Sequence, residues 1–192
     1  MTTGLLTCRI PARPLAVVSG VFGLAAGLCF ALFAAGRWER AGLAADVLGS
    51  VQLITLAPVA LALGERMRTE RAVRIACVVV AAAAVLTPVL EIVTRQGIWP
   101  SAVCSYLIFV WILLVSLTGH RRRSLPRPVT RAGLLIGAAL LAGLVLLLPG
   151  LVTPEPLRRV FLAAGVGIGV LATAAQPVFT LLLGRHVFKE EP

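Results

Sequence analysis

Six stretches of this chain stay apolar for about as long as a lipid bilayer is thick, and few folds can accommodate that. They cover residues 14–36, 47–64, 72–94, 98–118, 132–150 and 160–184. A helix needs about 20 mostly apolar residues to cross the hydrocarbon core, whereas a barrel strand needs about 9–11. The runs also lack the alternation of apolar and polar residues that barrel strands show. Composition leads the same way, with 59% hydrophobic and only 14% charged residues. A soluble domain is about 45–50% apolar and about 25% charged. The excess apolar surface must therefore face lipid. The expected fold is an all-α, polytopic integral membrane protein, a bundle of six transmembrane helices forming a single transmembrane domain over residues 1–192. The first run is too long and too weakly punctuated for a cleaved signal peptide. The tetrad Leu5-Leu6-Thr7-Cys8 has too few residues before it to be a lipobox.

The basic residues set the orientation. The chain carries a formal net charge of +10, and 17 of its 18 basic residues are Arg. If six spans alternate sides, one side receives 13 of them: Arg9, Arg13, Arg66, Arg68, Arg71, Arg74, Arg121, Arg122, Arg123, Arg127, Arg131, Arg185 and Lys189. The other receives 5: Arg37, Arg40, Arg95, Arg158 and Arg159. Short loops rich in Arg and Lys stay in the cytoplasm, so both termini are expected there. Trp38, Trp99 and Tyr106 then fall near outer helix ends, where amphipathic aromatics prefer to sit. The bias towards Arg, Ala, Val, Leu and Gly resembles that of a GC-rich coding sequence and suggests a bacterial cell membrane. The Arg residues sit between apolar runs rather than in a patch interleaved with aromatics. Membrane lipids are therefore the expected partners, and nucleic acid is not. The basic stretch from Arg121 to Arg131 reads first as a topology anchor on anionic lipid and second as a dock for an acidic partner.

Small residues recur at helical spacing. Gly23 and Gly27, Gly133 and Gly137, and Gly165 and Gly169 each form GxxxG, which lets helix backbones approach closely in lipid. Packing within the bundle is the first reading, and assembly with a second copy or another membrane protein is the second. Of the four cysteines, Cys29 and Cys104 fall in the same outer half, where a disulfide is geometrically possible. Packing as small apolar residues is the preferred reading.

The ionisable residue that looks most deeply placed is Glu91. An interfacial ion pair with Arg95, four residues on, is its first reading. The sharper reading makes it a proton carrier, a cation ligand or a general acid. Thr87 shares its helix face. Gln52 and Thr55 on the second helix, and Ser101, Ser105 and Tyr106 on the fourth, lie at similar depth. Together these seven residues could line an outer-leaflet polar cavity.

No motif names a reaction. The sequence contains no HExxH, no Walker motif, no aspartate-rich diphosphate motif and no intramembrane His to activate a Ser. Neither a metal nor a cofactor is expected. The leading expectation is a non-catalytic transport, lipid-interacting or partner-stabilising component. The alternative is a metal-independent enzyme acting on a lipid or isoprenoid, such as a small membrane terpene cyclase. Glu91 would be its acid and Asp46 a second one. Carbocation chemistry favours an aromatic-lined pocket, and a 6% aromatic content argues against it.

Overall fold

The computed structural model of the chain describes residues 11–36, 38, 40–94 and 98–188. Among them all regular structure is helical. The six helices are α1 (Ala12–Ala34), α2 (Arg40–Arg66), α3 (Arg71–Thr94), α4 (Ile98–Arg122), α5 (Arg127–Val152) and α6 (Leu157–His186). Each is long and apolar enough to cross a membrane.

The helices overrun the apolar runs that predict them. The second run, 47–64, lies inside the 27 residues of α2, and the last, 160–184, inside the 30 residues of α6. A continuous helix keeps its backbone hydrogen bonds internal, so it persists past the hydrocarbon core into the headgroup region. Helix ends follow local chemistry. At the end of α1, Gly36 adopts a φ of +64° while its N–H reaches the Phe33 carbonyl at 2.9 Å. At the end of α4, Arg123 takes the same left-handed conformation. The Ser124 N–H then reaches back to the Gly119 carbonyl at 3.2 Å, and Leu125 folds over Gly119. That is a Schellman ending with Arg where glycine usually sits.

Each helix packs against its neighbour in sequence, and α1 also packs against α6, so the six form a closed ring. Close approaches give the register. A Cβ on Gly184 would lie 3.2 Å from that of Ala16, and one on Gly23 would lie 2.7 Å from the Pro177 ring. α1 and α6 are therefore antiparallel, and both described chain ends lie at one end of the ring. The same end holds exposed Arg66, Arg68, Arg71, Arg74, Arg121, Arg122, Arg123, Arg127, Arg131 and Arg185. There Arg122 pairs with Glu70 at 3.0 Å.

The ring is filled unevenly. Its basic half is packed with large side chains, among them Leu56, Leu63, Ile112, Phe179 and Leu183, all fully buried. Trp111 stands edge-on to Phe179, with ring centroids 6.0 Å apart. Its indole N–H points at the Cys77 sulfur, 3.1 Å away. Small residues let the backbones close around this core. A Cβ on Gly133 would collide with Ser116, and one on Gly137 would meet Leu113 at 2.6 Å. In lipid such packing replaces the hydrophobic effect as the force holding helices together.

Candidate functional site

The opposite half of the ring encloses a cavity of ≈ 1030 Å³. α1, α2, α5 and α6 form its walls, with Tyr106 reaching in from α4. Half of its 22 lining residues are Gly or Ala. Such walls cannot reach the ring axis, whereas the other half of the ring is built from Leu, Ile, Phe and Trp. The cavity thus follows from how side-chain volume is distributed along α1 and α6. Its volume lies at the upper end of the range for small-molecule sites, about 300–1,000 Å³.

The lining of α1 runs from Gly23 to Ala35, and that of α6 from Gly165 to Pro177. Twelve residues of helix span about 18 Å. The cavity therefore extends from mid-helix to the rim of the ring. Gly23, Gln52, Gln176 and Pro177 make the floor. A Cβ on Gly23 would lie 2.6 Å from the Gln52 amide carbon and 2.7 Å from its nitrogen. Only a glycine lets α1, α2 and α6 meet there. Beneath it, Ser19 is fully buried and donates to the Gln52 carbonyl at 3.0 Å.

Polar groups are few. Gln176 is 5% exposed, and its side-chain nitrogen has no hydrogen-bond partner in the protein. Pro177 has no N–H, so it donates nothing to the Thr173 carbonyl four residues earlier. The Thr173 hydroxyl is already committed to the Gly169 carbonyl at 2.9 Å. Among the described residues, Asp46 and Tyr106 are the ionisable ones in the lining, both exposed, and no Arg, Lys or His joins them. Among the described residues no three His, Cys, Asp or Glu side chains gather where they could hold a metal ion.

Of the residues singled out from sequence, Gln52, Tyr106 and Asp46 come together around this cavity. Thr55, Thr87, Glu91 and Ser105 are not among its lining residues. Thr55 donates to the carbonyls of Val51 and Gln52, at 2.7 and 3.0 Å, and so serves its own helix. Thr87 is buried and donates to the Ala83 carbonyl at 2.8 Å. Glu91 is half-buried on α3 and has an interaction partner within the protein. Ser105 is half-buried. The side chain of Ser101 and the whole of Arg95 lie outside the described residues. Cys29 and Cys104 are both free thiols.

Sequence reasoning missed Gln176, Thr173 and the small-residue walls. Gln176 did leave a signal, as the one amide in the apolar run of α6, directly before a proline. Packing within the bundle is the first reading of the GxxxG motifs, and in α1 and α6 the structure divides each motif between a contact and the cavity. Gly23 and Gly165 are in tight contact, but a Cβ on Gly27 or Gly169 would meet nothing within 4 Å. Both of those residues line the cavity.

Comparison of the chain with protein-family models, curated proteins and solved structures finds no match, so the functional reading rests on this geometry.

Proposed function

We propose that this chain is a multi-pass protein of a bacterial cell membrane that holds an apolar, lipid-like molecule in the outward half of its helix ring, without catalysing a reaction on it. The cavity carries this reading: it is large, walled by small apolar residues and extends about 18 Å along the helices. Soluble metabolites need more polar contacts than this lining offers, whereas an acyl or isoprenoid chain needs few. The positive-inside rule puts the Arg-rich end of the ring, with both termini, in the cytoplasm, and the cavity then faces the outer leaflet. The acid-catalysed alternative wants two acids on one site, and among the described residues Asp46 is the one acid in the lining. Holding or passing on a lipid-like molecule needs no acid pair.

The experiment is to purify the protein in mild detergent and identify co-purifying lipid by native mass spectrometry. Gly27→Phe and Gly169→Leu should each abolish the bound species, because the new side chain occupies the cavity. Gly167→Leu is the control. Gly167 is exposed, has nothing within 4 Å of its Cβ position and does not line the cavity. Retention of lipid by both cavity-filling variants would overturn the reading.

A further inference from the structure

Gln176 is hard to explain by packing. It is 5% exposed on an apolar helix, and its side-chain nitrogen finds no partner in the protein. A buried donor without an acceptor is destabilising, and a Leu of similar size would avoid the cost. The residue nevertheless lines the cavity floor, next to Pro177 and together with Gln52. We infer that the molecule held in this cavity carries an uncharged hydrogen-bond acceptor of the carbonyl type at its leading end, and that Gln176 receives it at the cavity floor. The inference rests on the lipid-binding reading above and names the chemistry of the ligand.

Three observations narrow the chemistry. The missing partner of an amide N–H is an acceptor, which makes an oxygen with lone pairs the complement of Gln176. The acceptor is uncharged because the floor, made by Gly23, Gln52, Gln176 and Pro177, offers no cation, and no Arg, Lys or His is among the described lining residues. A carboxylate or phosphate at mid-membrane depth would be an unpaired charge in surroundings that penalise it heavily. Asp46, the lining carboxylate, is six residues from Gln52 on α2, about 9 Å towards the rim. A negative headgroup entering past it would be repelled. The walls between rim and floor are apolar, so the rest of the ligand is hydrocarbon. The ligand class is then an acyl or isoprenoid chain ending in a ketone, quinone or ester-like carbonyl.

The test uses the full chain in mild detergent and two photoactivatable probes of equal length. Both are alkyl diazirines; one carries a ketone at its leading end and the other a methylene there. With wild type, the ketone probe should label cavity residues up to about tenfold more efficiently, as a net hydrogen bond allows. In Gln176→Leu and in Gln176→Met the two probes should label alike. The unfolding midpoint of both variants without added ligand should rise, because the unpaired amide is gone. Equal labelling of wild type by the two probes, or a ketone preference that survives both substitutions, would overturn the inference. The lipid-binding reading would still stand if Gly169→Leu blocked labelling. If neither probe labelled the cavity, that reading would fail as well.

Discussion

Among the described residues two interior side chains carry polar atoms without a protein partner, and their surroundings differ. Ser116 is fully buried where α4, α5 and α6 converge, and a single methyl group on Gly133 would collide with it. No ligand fits there, so the hydroxyl is a local cost of the order of 1 kcal/mol. Gln176 has a cavity beside it. A place in the cavity lining sets Gln176 apart from Ser116, and sequence does not report it. Asp46, Gln52 and Tyr106 were legible because polar residues stand out in apolar runs. Their grouping was not, since Gln52 meets α6 only because α1 and α6 close the ring. Glu91 stood out for the same reason and does not line the cavity. Glu91→Gln should therefore leave the amount of co-purified lipid unchanged in native mass spectra. A loss of lipid in that variant would restore the polar groups of α3 to the binding site.

At the scale of single helices, hydropathy and spacing specified a great deal. Every predicted run lies in or close to one helix, because the run length that spans a bilayer is a property of the sequence alone. Face assignment was less legible. GxxxG states that a helix offers a groove but not which turn of it is occupied. In α1 the groove closes on Gln52 and Pro177 at Gly23 and opens into the cavity one turn later, at Gly27. Gly23→Leu and Gly137→Leu should each cost about 1–3 kcal/mol, as overpacked sites do. The measurement is the thermal midpoint in detergent. Gly169→Leu and Gly167→Leu should stay within about 0.5 kcal/mol of wild type, as substitutions that displace no neighbour do. A fall for Gly169→Leu as large as that for Gly23→Leu would mean that α6 is packed where the structure has it open.

For the whole molecule, the antiparallel ring places Arg13 and Arg185 at the same end, with the Arg-rich α2–α3 and α4–α5 connections. Reporter fusions at both termini should read as cytoplasmic, and a reporter inserted near Gln96 should read as external. Termini on opposite sides would contradict an even number of crossings. What sequence could not supply at this scale was the contact between the first and last helices, since nothing local encodes a closure between residues as far apart in the chain as Val17 and Gly184. That closure has a further result. The large buried side chains sit in the packed half, so the bore of the other half is free to vary where its lining meets no neighbour. Exchanging Ala31, Ala34 or Ala174 for a valine narrows the bore by two carbons at a time and leaves the scaffold as it is. Chain thickness and branching of the guest can then be re-gauged by point substitution, with no new architecture.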